Sequence, residues 1–123
     1  MYKEHVLKHY GRPVNKGMLT ARHRVKQYFG EAVSDVCGDR IAMCANSHDA
    51  VLVDLWWQGE GCCFSQAAAS MLVEHMEGKL VDAVDAFTEE DMFTLFQAEC
   101  PDARRGCVLV ALAALRQLTE QIP

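Results

Sequence analysis

The chain lacks an apolar run of membrane-spanning length, an excess of positive charge and any CxxC pair, and each absence removes a class of function. Its longest uncharged apolar stretch, residues 106–115, is about half of what a transmembrane helix needs. The first dozen residues carry Lys3, Lys8 and Arg12 without an apolar stretch, which is not the pattern of a secretory signal. A cytoplasmic protein with no membrane partner is therefore expected. The formal net charge of −5 disfavours a phosphate backbone, so no nucleic acid partner is expected either. One short basic stretch, Arg22-His23-Arg24-Val25-Lys26, has no aromatic residues interleaved and reads as a solvated strand face. Without CxxC spacing, a zinc ribbon or finger is not signalled. Internal repeats, low-complexity segments and linkers are absent as well, and residues 1–123 are expected to form a single domain.

What the chain does have is a composition that is 50% apolar and six cysteines. A domain of this size buries roughly two-thirds of its unfolded surface, so it needs no disulfide staple. In a reducing compartment, cysteines without that structural duty point to metal binding or thiol chemistry.

Hydrophobic periodicity gives the scaffold. Tyr2, Val6 and Tyr10 recur every four residues and predict a short amphipathic helix over 2–10, ended by Gly11-Arg12-Pro13. Residues 21–29 predict an exposed polar strand. Residues 40–46 and 51–58 predict an antiparallel hairpin closed by Ser47-His48-Asp49-Ala50, with Val51, Val53, Leu55 and Trp57 on one face. Trp56 and Trp57 then point to opposite faces. A helix is predicted over 65–77 and stopped by Gly78. A short one follows over 80–87, and a third opens at Thr88-Glu89-Glu90-Asp91, a capping box with aspartate in the third position. The last helix, 104–121, carries Val108, Leu109, Leu112, Leu115 and Leu118 at helical spacing. Strands and helices in separate runs imply an α+β fold, a small three-stranded antiparallel sheet with helices packed on one face.

Three cysteines stand where turns meet regular elements. Cys37 lies in Cys37-Gly38-Asp39, where glycine lets thiolate and carboxylate face one ion. Cys62 follows Gly59-Glu60-Gly61 at a helix start, a setting that favours thiolate. Cys107 follows Arg104-Arg105-Gly106 at the start of the last helix, beside two cations. With Asp39 they offer three soft donors and one hard one, a set that suits tetrahedral zinc or iron and sulfide. Cys44 on an apolar strand and Cys63 next to Cys62 read as packing residues, and Cys100 beside Pro101 has no assigned role. His5 and His9 share a helix face at i, i+4 but lack a zinc-protease pattern and read as exposed polar residues; His48 and His75 read the same way.

Three stretches, in order, carry a resemblance: His9-Tyr10-Gly11-Arg12-Pro13-Val14-Asn15-Lys16-Gly17, Cys37-Gly38-Asp39, and Gly59-Glu60-Gly61-Cys62-Cys63-Phe64-Ser65-Gln66-Ala67-Ala68-Ala69-Ser70-Met71. Over nearly its whole length the chain resembles the NifU N-terminal, IscU and SufU family of iron–sulfur cluster assembly proteins. The resemblance implies that Cys37, Asp39, Cys62 and Cys107 cluster at one exposed tip and hold zinc at rest or a transient 2Fe–2S cluster. The central stretch is most like the zinc-binding SufU branch. Gly106 stands where the IscU branch has histidine, yet the 45-position step from Cys62 to Cys107 is as short as in IscU. Two functions follow from the resemblance. One is a non-enzymatic scaffold that builds a cluster on Cys37, Cys62 and Cys107 and passes it to apo iron–sulfur client proteins. The other is a zinc-bound acceptor that takes persulfide sulfur from a cysteine desulfurase, with Cys107 as the receiving thiol. A structural zinc module is the third reading.

Overall fold

The computed structural model describes residues 2–34, 38–97 and 100–123. Cys37 and the side chain of Tyr2 lie outside the described residues. Helix α1 (Tyr2–Gly11) precedes three strands, β1 (Lys26–Val33), β2 (Arg40–His48) and β3 (Val51–Glu60). Four helices complete the chain: α2 (Cys63–Met76), α3 (Val81–Asp85), α4 (Glu89–Phe96) and α5 (Arg105–Thr119), the last entered through a 3₁₀ turn at Asp102–Arg104. The strands pair antiparallel in the order β1-β2-β3. This is the expected α+β architecture.

Ile41, Met43, Ala45, Leu55 and Trp57 face the helices, where they bury with Leu72, Met76, Leu112, Leu115 and Leu118. Close packing of α5 depends on Gly30 of β1, because a Cβ there would run into the backbone of Ala114 and Leu118. The capping box is present as expected, with Thr88 Oγ1 accepting from Asp91 N–H and the Asp91 carboxylate accepting from Thr88 N–H. Its capped helix brings Met92 and Phe96 into the core.

Strict alternation fails in β3. Asn46 pairs with Asp54 and Ser47 with Leu52, which leaves Val53 as an extra residue in the ladder. The bulge reverses the phase, so Leu52 is buried where Val51 and Val53 were expected. The hairpin turn is also tighter than expected: both strands run on until only Asp49 and Ala50 remain, each with positive φ (51° and 60°). That is the backbone twist that suits a two-residue hairpin. Residues 21–25 are not a strand; Arg22 leaves the chain there to pair with Asp54 at 2.8 Å, and β1 starts at Lys26.

Both sheet edges are covered, which blunts their tendency to recruit further strands. Along β3, Trp57 N–H donates to Asn15 carbonyl (2.9 Å) and Gly17 N–H to Trp57 carbonyl (2.8 Å), a parallel bridge made by the segment after α1. Along β1, Gln121 Nε2 donates to Phe29 carbonyl and Gln117 Oε1 accepts from Glu31 N–H. On the helix-free side, Cys44 stands in a cross-strand row between Phe29 and Trp56. Burial pushes its thiol up, as fits a packing residue.

The expected exposure of His9 is overturned. Val6 and His9 form the buried stripe of α1, whereas Tyr10 is exposed. His9 Nδ1 lies 2.7 Å from Ser70 Oγ on α2, and the same hydroxyl accepts from Val14 N–H at 2.8 Å. A polar residue is tolerated here because its Nδ1 is hydrogen-bonded to Ser70 and its Nε2 faces the Glu74 carboxylate at 3.8 Å. Burial lowers the proton affinity of His9 more than the nearby Glu74 carboxylate raises it. The unfolded chain then takes the proton more readily, so stability is complete above pH 6.5 and falls as pH drops below it. His75 is shifted in the same direction, again mainly by burial. Melting temperatures followed from pH 7.5 to about 5 should fall more steeply in the wild type than in His9→Gln. Parallel curves would contradict this placement.

Candidate metal centre

Two helix starts and one strand start converge to build the site. Asp39 comes just before β2, Cys62 is the N-cap residue of α2, and Cys107 lies in the first turn of α5. The positive ends of two helix dipoles therefore stand beside these donors. Cys62 makes no side-chain capping bond to its helix. Its thiol instead turns to the carboxylate, with Sγ 3.5 Å from Asp39 Oδ2. Donor atoms of Asp39, Cys62 and Cys107 all lie within 4.8 Å of one another.

Asp39 divides its two oxygens. Oδ1 accepts a 2.8 Å hydrogen bond from Cys62 N–H, while Oδ2 faces the thiol. Gly61 makes this approach feasible: its φ is +144°, and a Cβ there would occupy the space of the Asp39 carboxylate. Ser34 N–H donates to Asp39 carbonyl at 2.7 Å and Gly38 N–H to Ser34 carbonyl at 3.0 Å, which anchors the backbone on either side of the Asp39 side chain. On the helix side, Ser65 Oγ donates to Cys62 carbonyl at 3.0 Å.

Three of the four expected ligands are thus brought together, and Cys37 lies outside the described residues. The expected exposed tip is more closed than anticipated. Asp39 and Cys107 are both 0% exposed, and only Cys62 is half-buried. Arg105, expected as a cation beside Cys107, stacks over the Phe93 ring at 4.1 Å. Cys63, half-buried at the first position of α2, and Cys100, whose thiol donates to Pro101 carbonyl at 3.6 Å, lie outside the three-donor group. Burial pushes the Cys100 thiol up, with Arg105 pulling the other way. His5 and His9 pack ring edge to ring face, 5.1 Å between centroids, and join no group of three metal donors among the described residues.

A profile of the NifU-like N terminal domain matches residues 1–121. The chain belongs to that family. It is 32% identical over 82 residues to the zinc-dependent sulfurtransferase SufU of Bacillus subtilis, covering 67% of this chain and 52% of that protein. It is 31% identical over 90 residues to the iron–sulfur cluster assembly scaffold protein IscU of Thermotoga maritima, covering 73% of this chain and 61% of that protein. The matches thus span only about half to three-fifths of these relatives' length. In solved structures the same fold appears in a NifU-like N-terminal protein from Brucella abortus, with TM-score 0.72, 20% identity, and 98% of this chain and 95% of that one covered. It appears again in a putative SUF-system scaffold from Fervidobacterium islandicum, with TM-score 0.73, 19% identity and 94% of each chain covered.

Several residues that shape the site were not legible as such. Within the His9-to-Gly17 stretch, Asn15 Nδ2 donates to Leu55 carbonyl and to Glu77 Oε2 (3.0 and 2.8 Å), and Val14 carbonyl accepts from the Trp57 indole (2.9 Å). Only the stretch's place in the family motif pointed to it. Asp39, read from the sequence only as a candidate ligand, also accepts the Cys62 N–H bond. Asp39→Ala in metal-free protein leaves the Cys62 N–H without its acceptor, and should cost about 1–3 kcal/mol in urea denaturation. An unchanged midpoint would show that the carboxylate does not hold the loop.

Proposed function

We propose that this protein assembles iron–sulfur clusters: iron and sulfide are its cargo, received on Cys37, Cys62 and Cys107 and released to apo-proteins. The observation that carries the reading is the convergence of Asp39, Cys62 and Cys107 donors within 4.8 Å, from three separate parts of the chain. Thiolates hold iron and sulfide well, whereas the Asp39 oxygen is a hard, weaker ligand. A cargo held partly by carboxylate is released more readily than one held by four thiolates. That suits a donor.

A second reading has its own support. For zinc bonds of about 2.3 Å to sulfur and about 2.0 Å to oxygen, a tetrahedral edge from sulfur to oxygen spans about 3.5 Å. The Cys62 Sγ to Asp39 Oδ2 distance is 3.5 Å. The Asp39–Cys62 pair therefore fits a resident zinc ion, which Cys107 and, by the family motif, Cys37 would complete and which would keep the thiols as thiolates. On this reading the protein is a sulfur acceptor, in line with its 32% identity to a relative named as a zinc-dependent sulfurtransferase. The Cys107 thiolate attacks the terminal sulfur of a cysteine desulfurase persulfide. One sulfur–sulfur bond breaks as another forms, the enzyme's thiolate leaves, and no electrons are gained or lost overall. Because Cys107 is buried, docking must uncover it; Cys62 already meets solvent.

Anaerobic incubation with iron, sulfide and a cysteine desulfurase separates the readings. A visible charge-transfer spectrum that moves to an apo-ferredoxin is expected for the scaffold. Retained zinc, with persulfide detected on wild type and lost in Cys107→Ser, is expected for the acceptor. Bound zinc with neither cluster nor persulfide would overturn both and leave a structural zinc module.

A further inference from the structure

Gly61 combines the greatest backbone freedom with a required unusual conformation, at the residue directly before a ligand. Its amide link to Cys62 is held from one side by Asp39 Oδ1, through the Cys62 N–H. The opposite side is held as well. Gln66 Nε2, one turn into α2, donates to Gly61 carbonyl at 2.9 Å. The orientation of that carboxamide is not arbitrary, because Lys16 Nζ donates to Gln66 Oε1 at 2.9 Å. An ammonium on the oxygen turns the amide nitrogen toward Gly61. Lys16 in turn lies over the Trp57 ring at 5.0 Å, and its neighbours Asn15 and Gly17 are bonded to the Trp57 backbone.

We propose that Gln66, oriented by Lys16, is a positioning residue that locks the Gly61–Cys62 turn and so sets the direction of the Cys62 thiol. The role rests on the reading of Cys62 as a ligand. It gives the segment after α1 a task at the metal centre although it contributes no ligand. Restraining both sides of a glycine before binding removes conformational freedom that the metal would otherwise have to suppress. A bond from Gln66 alone would leave the amide free to flip; a bond from Lys16 alone would reach nothing at the site. The two act as one unit.

The test uses Gln66→Ala, Lys16→Met and the double variant in the full chain. In metal-free protein, hydrogen exchange at the Cys62 amide should quicken about tenfold in either single variant. The double variant should be no faster than Gln66→Ala. Melting temperature should stay within about 2 °C of wild type, since both bonds are at the surface. With zinc added, affinity should fall about tenfold, the low end of what loss of an outer hydrogen bond does to a metal site. Cobalt substitution should show altered thiolate bands in the same variants. Unchanged exchange at Cys62 would overturn the proposal, as would acceleration spread evenly over the chain. If wild-type protein binds neither zinc nor cobalt, the ligand reading of Cys62 falls, while the exchange measurement still decides whether Gln66 holds the turn.

Discussion

The bond from Cys62 N–H to Asp39 Oδ1 joins the start of β2 to the start of α2, and the geometry of the centre depends on it. A carboxylate that is 0% exposed is costly to bury without compensation. Here the Cys62 N–H compensates one of its oxygens and leaves the other directed at the thiol. The strand's own register does part of the work: Arg40 pairs with Glu60, so the residues just outside the ladder, Asp39 and Gly61, meet by continuation of the hairpin. Glycine at position 61 is the steric condition for that meeting.

Around this bond the chain is arranged in widening supports. The segment after α1 covers the β3 edge and is tied to α2 through the Val14–Ser70–His9 bonds. From the other side, α5 lies on Gly30 and Leu118 buries beneath β1, which fixes the helix whose first turn carries Cys107. Sheet, α2 and α5 share one apolar core, so the three donors are mounted on packed elements and not on isolated loops. A site built this way holds its donors close before any ion arrives.

Much of this was legible in the residues. Period-two runs marked β2 and β3, Ala- and Leu-rich helical spacing marked α2 and α5, and Thr88 with Asp91 announced α4. These signals are local, and local rules govern them. What was missed required knowledge of distant partners. The bulge at Val53 is a register effect of the partner strand, so alternation within β3 could not reveal that Leu52 is buried. His9 looked like a surface residue because its partner, Ser70, is 61 positions away. Cys107 was placed among arginines by adjacency, whereas Arg105 turns away to the ring of Phe93. The motifs marked Asp39, Cys62 and Cys107, which the fold brings together as donors; the closure of the site over Asp39 and Cys107 was not readable.

The central claim is that cysteines and a carboxylate far apart in the chain serve one ion, and X-ray absorption on zinc-loaded protein addresses it most directly. The account predicts a four-coordinate shell of sulfur at about 2.3 Å with one oxygen at about 2.0 Å, losing a sulfur in Cys62→Ser and again in Cys107→Ser. A shell of nitrogen and oxygen alone, or a sulfur count untouched by either replacement, would contradict it.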